Sequence, residues 1–321
     1  MKKVVVMGGG TGNFTVLRGL KKHSVDLSAI VSMADDGGST GILRDELGVL
    51  PPGDVRQCLV ALSDSSRLMR SVVNYRFENG GLEGHSMGNL LLSALEKVTG
   101  SFERAVEEMG RILFIKGKVI PVTANKVRLR MVLKNRKILE GEKEIYLSQE
   151  IDQGYDKIYL DPLPESNPNA ICEIKNADMV ILGPGGLHTS IIPNLLVGGV
   201  SKALKESNAK KMFVVNLMNR KGQTTGYKAT DYLEEIVRYL GEDIFDYILV
   251  NNQTPEQELI DKYAEEGELI ENDLVGSRVI SAPLLGSISK KVENDFLLQR
   301  SLIRHNSTQV TKEIMKIVDY L

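Results

Sequence analysis

The sequence predicts an α/β fold in which helices cover both faces of a doubly wound, mostly parallel sheet. Short apolar runs that are typical of buried strands alternate with helical segments along most of the 321 residues. The first run, Lys3–Met7, is followed by a Gly-rich turn, a helix and a second apolar run at Leu27–Met33, which together form a βαβ unit. This order is Rossmann-like, and we expect residues 1–321 to form one domain.

The later elements continue the alternation, with one exception. Residues 119–146 carry short alternating segments on either side of Lys134–Lys137, a pattern that predicts a small inserted β-hairpin laid across the main sheet. Elsewhere, apolar periodicity predicts helices at 14–22, 54–63, 66–77, 86–98, 102–112, 191–207, 230–240, 256–266 and 307–320, and strands at 157–160, 179–182, 212–216, 247–251 and 278–282.

Composition excludes several classes of partner. A formal net charge of −2 leaves no basic excess, so we expect no nucleic-acid and no membrane partner. No apolar run approaches the roughly 20 residues of a membrane helix, and glycines interrupt the first run, unlike in a secretion signal. Cys58 and Cys172 lie far apart without metal-binding spacing. We interpret both as reduced, buried thiols of a cytoplasmic protein.

Gly- or Asn-rich loops follow several predicted strands, where an open α/β sheet forms its ligand crevice. The first, Gly8–Asn13, opens a helix whose terminal N–H groups suit a phosphate. Neither the GxGxxG fingerprint nor a P-loop is complete there, and a plain tight turn is the alternative. A second Gly-rich loop follows Asp35 and Asp36, and a third is GPGG at Gly183–Gly186.

The paired carboxylates of Asp35 and Asp36 have three interpretations. They can recognise ribose hydroxyls, hold Mg²⁺ together with substrate phosphates, or cap a turn. The metal interpretation explains why acidic residues adjoin a phosphate-binding loop, because Mg²⁺ lets both groups share one site. Asp54, at a Pro/Gly-rich turn before a helix, is either a further metal ligand or a helix N-cap.

Three of the four histidines (His85, His188 and His305) fall in predicted loops, which favours a polar site. The sequence around Ser86 reads GHSMG, matching the letters of a nucleophile elbow, but no clear strand precedes it, so helix capping is the favoured role. His188 is either a ligand-facing base or donor, or a solvated side chain. Arg304, just before the last helix, is placed for a phosphate.

The motifs GGGTG, ADDGGSTGILRDEL, PPGDVRQCLVAL, GHSMGNLLLSAL, GPGGLHTSIIPNLL and RHN, in this order, resemble the YvcK-type gluconeogenesis factors. These belong to the CofD-like group, whose enzymatic member is the phospholactate transferase of coenzyme F420 synthesis. The resemblance covers essentially the whole chain. It implies a Rossmann-like fold, a UDP-sugar ligand such as UDP-N-acetylglucosamine, and a role linking central carbon metabolism to cell-wall synthesis and cell shape.

Motif positions and the resemblance together give the candidate site. The predicted nucleotide- and phosphate-binding residues are Gly8, Gly9, Gly10, Thr11, Gly12, Asn13, Gly37, Gly38, Ser39, Asn89, Gly183, Gly185, Gly186, Asn216 and Arg304. The predicted metal ligands are Asp35, Asp36 and Asp54, for Mg²⁺. The chain departs from the family pattern on the crevice side at Asn13, Phe14, Gly186, His188, Arg220, Lys221 and Gln223.

Three functions follow from this site. The first is a regulatory protein that binds a nucleotide-sugar without turnover and acts through a homo-oligomer or protein partners. The second is a Mg²⁺-dependent transferase of phosphorus-containing groups that acts on a nucleotide-diphospho adduct, with GDP as the nucleotide in the known relatives. The third is an NAD-binding oxidoreductase, since NAD is a dinucleotide diphosphate that the same crevice can accept. It is the weakest of the three because the GxGxxG fingerprint is incomplete.

Overall fold

A computed structural model describes residues 1–286 and 303–321. Ten strands are present in this part of the chain. They are β1 (Lys2–Gly8), β2 (Val25–Val31), β3 (Lys118–Pro121), β4 (Arg128–Leu133), β5 (Ile138–Glu140), β6 (Tyr155–Asp161), β7 (Met179–Leu182), β8 (Lys210–Val214), β9 (Tyr247–Asn251) and β10 (Val279–Ala282).

Seven strands form one fully parallel sheet in the order β10-β9-β8-β7-β1-β2-β3. Its central strands are continuous apolar runs, as expected when helices cover both faces; residues 4–7 of β1 are completely buried or nearly so. The chain moves outward from β1 through β2 to β3, and then returns beside β1 at β7. This reversal places a topological switch point between β1 and β7, where a ligand crevice is expected.

Thirteen α-helices occur in the same described ranges, and most of them cover this sheet. They are α1 (Gly10–Leu20), α2 (Gly38–Leu47), α3 (Gly53–Leu62), α4 (Arg67–Asn74), α5 (Met87–Thr99), α6 (Phe102–Ile112), α7 (Glu142–Leu147), α8 (Pro168–Asn176), α9 (Ile192–Leu195), α10 (Val200–Glu206), α11 (Ala229–Leu240), α12 (Gln257–Tyr263) and α13 (Ser307–Val318). The predicted doubly wound α/β class is confirmed.

A second, antiparallel sheet with the order β5-β4-β6 contains the predicted hairpin. Two details of the prediction were wrong. Residues 118–121 form the edge of the main sheet rather than part of the hairpin, and residues 155–161 pair with β4 rather than joining the main sheet. The burial of β6 shows the reason, because its side chains are only partly covered whereas those of β7 are buried throughout.

The helices differ from the prediction in several places. Helices α7 and α8 were not predicted, and α7 begins where the alternating pattern indicated a strand, because Gly141, with a φ of +97°, ends that strand. Helix α2 was not predicted, because Gly38 and Gly41 lower its intrinsic helix propensity. In the fold this helix forms and buries the side chains of Ser39, Thr40 and Leu43. The predicted helix at 191–207 is instead a π-helical turn followed by α9 and α10, separated at Gly199, whose φ is +88°.

Two predictions on cysteines and membranes can be compared with the fold. Cys58 is buried as expected, but Cys172 is exposed in the middle of α8, so the prediction that it is buried was wrong. None of the helices within residues 1–286 and 303–321 combines the length and the apolar character needed to cross a membrane.

Candidate functional site

A cavity of about 660 Å³ opens at the carboxyl ends of the main-sheet strands, at the switch point between β1 and β7. The loops after β1, β2, β7 and β8 line it, together with α3, α5, α7 and the segment before α13. Thirteen of the residues predicted from sequence line this cavity: Gly10, Thr11, Gly12, Asp35, Gly37, Gly38, Ser39, Asp54, Asn89, Gly185, Gly186, Asn216 and Arg304.

Five predicted residues lie outside the cavity lining: Gly8, Gly9, Asn13, Asp36 and Gly183. Asn13 is completely buried, and its Oδ1 would lie 2.6 Å from a Cβ added at Gly8. Asp36 ion-pairs with Arg44 at 3.6 Å and accepts a hydrogen bond from the Lys143 N–H at 2.7 Å. Asp36 therefore joins α2 to the start of α7, a structural role that turn propensity alone did not indicate.

The first glycine loop (Gly8–Gly12) is packed against protein atoms. A Cβ at Gly12 would lie 1.7 Å from the carbonyl oxygen of Pro184, and a Cβ at Gly10 would lie 2.6 Å from Asp54 Oδ1. Thr11 Oγ1 donates to Gln57 Oε1 at 3.0 Å. The absence of side chains here lets α1 approach α3 and the loop after β7, whatever ligand the loop also contacts.

Asp54 does not serve as the helix N-cap, because α3 has Pro52 at that position and Asp54 lies within its first turn. Its carboxylate instead stands beside Gly9 and Gly10, at the N-terminus of α1. A negative charge is favourable at this end of a helix. The carboxylate thus sits where a phosphate was expected, so a phosphate at this loop needs a cation between the two anions.

The second glycine loop (Gly37 and Gly38) is open. No atom lies within 4 Å of a Cβ added at Gly38, and the nearest atom to one at Gly37 is Asp35 Oδ1 at 3.5 Å. Gly37 is the N-cap of α2 and offers no capping side chain, while its own N–H donates to Asp35 Oδ1 at 3.0 Å. The first turn of α2 therefore faces the cavity and can accept an anion.

Glu142, at the start of α7, brings a third carboxylate to the cavity beside Asp35 and Asp54. Burial, and after it the negative charges of Asp35, Asp54 and Asp36, together raise the pKa of Glu142 to about 9. In the described ranges, no three His, Cys, Asp or Glu side chains are grouped to hold a metal. Asp35 and Asp54 at the cavity are donors of the type that Mg²⁺ uses when it takes one or two carboxylates and completes its shell with substrate phosphates.

A buried polar chain runs along one wall of the cavity. Arg56 donates from Nε to Asn89 Oδ1 at 2.9 Å and from Nη1 to Asn74 Oδ1 at 2.6 Å. Asn89 Nδ2 donates to Ser39 Oγ at 3.4 Å, and Ser39 Oγ contacts His85 Nδ1 at 2.9 Å. Because arginine can only donate, it fixes the orientation of the Asn89 amide and hence the order of the chain.

Two further histidines of the predicted loops differ in position: His188 lies in the core and His305 at the cavity. His188 was expected to face a ligand or solvent, and this was wrong: it is buried, with its ring 5.3 Å from that of Tyr155 and nearly perpendicular to it. Burial lowers the pKa of His188 to about 4. His305 lines the cavity, and burial of its ring lowers its pKa to about 4 as well. Ser86 caps α5 by accepting from the Asn89 N–H, which is the favoured role.

Several cavity residues had no signal in the sequence. Arg56 lies in the first turn of α3, and its direction depends on the packing of α3 against α4 and α5. Arg220, noted only as a departure from the family pattern, stacks its guanidinium 3.6 Å above the ring of Tyr146. Helix α7, at the end of the inserted region, supplies four lining residues that the sequence pattern did not place at the crevice: Glu142, Lys143, Tyr146 and Leu147.

Comparison with known proteins agrees with this architecture. The family model described as 2-phospho-L-lactate transferase CofD matches residues 4–285. A gluconeogenesis factor from Halalkalibacterium halodurans is 40% identical over 318 residues, covering 98% of this chain and 96% of its own length. The gluconeogenesis factor of Bacillus subtilis is 37% identical over 323 residues, covering 98% of each.

Solved structures agree as well. A crystal structure of a protein from Bacillus halodurans has a TM-score of 0.89 and 39% identity, covering 98% of this chain and 99% of that one. A second crystal structure of that protein, described as a member of the upf0052 family, gives the same TM-score at 38% identity. The chain therefore belongs to the CofD family, within which it is similar to the gluconeogenesis factors.

Proposed function

We propose that the cavity binds a nucleoside diphosphate-sugar of the UDP-N-acetylglucosamine type, and that the protein is a cytoplasmic regulator without robust turnover. The observation that carries this proposal is the convergence, around one cavity of about 660 Å³, of an open helix N-terminus at Gly37 and Gly38 with arginine side chains from separate elements. Arg56, Arg220 and Arg304 come from α3, the loop after β8 and the segment before α13. Such a site suits a ligand with a compact double negative charge.

The cavity also contains groups for the uncharged parts of such a ligand. Asn216 exchanges two hydrogen bonds with the backbone of Gly185, at 2.9 and 2.8 Å, which holds the loops after β7 and β8 together. Tyr146 offers an aromatic surface and Asp35 a carboxylate that accepts from sugar or ribose hydroxyls. A diphosphate near the arginines therefore leaves polar acceptors for a sugar.

The names of the relatives suggest a cellular role for this chain in addition to a ligand. The curated proteins from H. halodurans and B. subtilis carry the name gluconeogenesis factor. We propose the same role for this chain: a nucleotide-sugar level sensed at the cavity links central carbon metabolism to cell-wall synthesis and cell shape, through contacts with other proteins.

A Mg²⁺-dependent transferase is the second candidate, and the carboxylates favour it. Asp35, Asp54 and Glu142 line one cavity, and the matching family model is that of 2-phospho-L-lactate transferase. Asp35 and Asp54 would hold the ion, which would neutralise phosphate charge during transfer. In that case Arg304 and the N-terminus of α2 bind and orient the diphosphate in the same way.

A ligand panel tests the proposed function. We expect UDP-N-acetylglucosamine to raise the melting temperature more than UDP, GDP or NAD, since a ligand at about 100 times its dissociation constant adds roughly 2.7 kcal/mol to the unfolding free energy. Each ligand is measured with and without Mg²⁺. A response to none of these nucleotides contradicts the proposal, and a response to NAD alone supports the dinucleotide alternative.

The substitution Asp54→Asn separates the two candidates. It removes the charge beside Gly9 and Gly10 while keeping the side-chain volume. For a regulator, UDP-sugar affinity should stay similar or rise, because an anion near the diphosphate has been neutralised. For the transferase, Mg²⁺-dependent ligand affinity and turnover should be lost. Calorimetry with and without Mg²⁺ on both proteins distinguishes these outcomes.

Arg304 is the most direct test of the diphosphate position. Replacing it by alanine should weaken UDP-sugar binding by about 1.5–3 kcal/mol, the range for hydrogen bonds to charged groups. Arg18, exposed on α1 outside the cavity, provides the matched control in Arg18→Ala, which should bind as the parent does. Calorimetric affinity of the Arg304 variant within twofold of the control would place the diphosphate elsewhere.

A further inference from the structure

Helix α4 carries an apolar face that residues 1–286 and 303–321 leave uncovered. Leu68, Met69, Val72 and Tyr75 are 74%, 37%, 41% and 49% exposed, and their spacing places them along one side of the helix. Val73 alone among the residues of α4 is buried. We call this set of four side chains the α4 face. Leu82, 44% exposed in the following 3₁₀ turn, is a further exposed apolar side chain close in sequence.

Other surface helices of the protein are covered differently. On α13, Lys316 pairs with Glu313 at 2.7 Å, and on α12, Lys262 pairs with Glu258 at 2.6 Å. These are the solvated charge pairs expected of an exposed helix face. The α4 face has no such pair between described residues, and a contiguous exposed apolar patch of this kind marks an interaction surface.

We propose that the α4 face is the contact between two copies of this chain, related by a twofold axis that passes close to Val72. The charges beside the face support a second copy as the occupant. Arg67 precedes the apolar positions, whereas Glu78 and Glu83 follow them, and all three are exposed. The two other arginines of this segment donate hydrogen bonds within the chain, Arg70 to the carbonyl oxygen of Ser65 and Arg76 to that of Gly84.

A twofold axis makes these charges complementary. In an isologous contact, the element at one end of the patch meets the element from the opposite end of the other copy. Two α4 helices crossing in antiparallel sense therefore bring Arg67 of one copy towards Glu78 of the partner subunit, and the reverse. The apolar centre with a charged rim is the usual composition of such an interface. A membrane surface would not gain from the two acidic residues.

The α4 face lies directly behind a wall of the cavity. Asn74, the last residue of α4, accepts the hydrogen bond from Arg56 Nη1 at 2.6 Å. A Cβ at Gly88 would lie 2.6 Å from both Arg56 Cδ and the carbonyl oxygen of Val73, so α4, Arg56 and α5 are in close contact. Association at α4 would restrain the helix that positions Arg56, which connects the oligomeric state to the ligand site.

Sedimentation equilibrium of the full chain without ligand tests the contact, over about 1 to 100 µM. The parent should dimerise, and Val72→Asp should raise the dimer dissociation constant by at least about 30-fold, because a carboxylate would be buried at the centre of the contact. Val275→Asp is the matched control at a 91% exposed position away from α4, and it should dimerise as the parent does. Thermal melting checks that both variants fold.

Two further variants make the test independent of any loss of stability. Arg67→Glu and Glu78→Arg should each weaken the dimer, and the double variant should recover at least part of the affinity, since the pair is restored with reversed signs. In a Cys172→Ser background, Val72→Cys should form a disulfide-linked dimer under mild oxidation, whereas Val275→Cys should not.

Several results would overturn the proposal. A parent that stays monomeric at the highest concentration excludes the dimer, and binding of such a monomer to lipid vesicles would assign the α4 face to a membrane instead. A dimer that Val72→Asp leaves unchanged places the contact elsewhere on the molecule. Because these measurements use no nucleotide, their outcome is independent of the proposed ligand.

Discussion

The two glycine loops look alike in sequence and differ in the fold. Both follow a strand of the parallel sheet and open a helix, with a glycine as N-cap and no capping side chain. Around the first loop, a Cβ at Gly9, Gly10 or Gly12 would lie within 2.6 Å of a neighbouring oxygen. At the second loop, Gly38 has no neighbour within 4 Å of that position.

The difference teaches that the glycines of a Gly-rich turn have separate physical reasons; Gly38 has a positive φ of +47°, and close approach to the backbone gives two more. A missing side chain lets a ligand approach the backbone, but it equally lets another part of the chain approach. Gly12 meets the backbone of Pro184, which cannot move aside easily, whereas Gly10 meets the ends of the Asp54 and Gln57 side chains, which can. Three substitutions examine this contrast, from the largest expected effect to the smallest.

Gly12→Ala should destabilise the fold. Its Cβ would lie 1.7 Å from the Pro184 carbonyl oxygen, so α1 or the loop after β7 must shift. We expect the unfolding free energy to fall by about 3 kcal/mol or more, at the upper end of overpacking effects. Urea denaturation measures it. Gly81→Ala, where a Cβ meets no atom within 4 Å, is the control and should change stability by less than about 0.5 kcal/mol. Equal unfolding free energies for the two variants would contradict a packing role for the first loop.

Glu142→Gln tests the carboxylates that separate the two loops. The folded-state pKa of about 9 lies above the ordinary 4.5, so the native protein holds a proton that the unfolded chain releases between these values. The stability contribution of this group is therefore complete below about pH 4.5 and is lost as the pH rises towards 9. The parent should lose up to about 1.4 kcal/mol per pH unit more than the variant in this window.

Denaturation at several pH values gives the two slopes for Glu142→Gln and the parent. Glu234→Gln, at an exposed position of α11, is the control and should follow the parent. Identical slopes for all three proteins would mean that the carboxylates do not interact as described. Mg²⁺ together with a nucleotide can be added to the parent in the same measurement. If the additional pH dependence of its unfolding free energy then disappears, the cation lies between the carboxylates and the phosphates.

Gly37→Ala should affect binding more than stability. The φ of Gly37 is −78°, which alanine adopts readily, and its Cβ would meet Asp35 Oδ1 only at 3.5 Å. We expect unfolding free energy within about 0.5 kcal/mol of the parent and UDP-sugar affinity reduced by about 3- to 10-fold, because the methyl group enters the approach to the N-terminus of α2. Calorimetry that finds full affinity would move the anion site away from the second loop.

Local sequence signals sufficed for the sheet and for much of the cavity lining. The apolar runs of β1, β2 and β7 are long and β-branched enough to indicate buried parallel strands, and parallel strands bring their carboxyl-end loops to one edge. For that reason Thr11, Ser39 and Asn216 could be assigned to one crevice although they are far apart along the chain. Their ligand contacts remain predictions.

The tertiary structure alone decided in which direction side chains point and which atoms surround them. Whether Gly12 faces Pro184 or a ligand, whether His188 enters the core, and whether Arg56 reaches the cavity depend on how elements distant in sequence pack. The inserted sheet shows the same limit, since the hairpin was predictable but the delivery of Glu142 and Tyr146 to the crevice was not. Periodicity and turn chemistry report the neighbours of a residue along the chain, whereas the chemistry of a site depends on its neighbours in space.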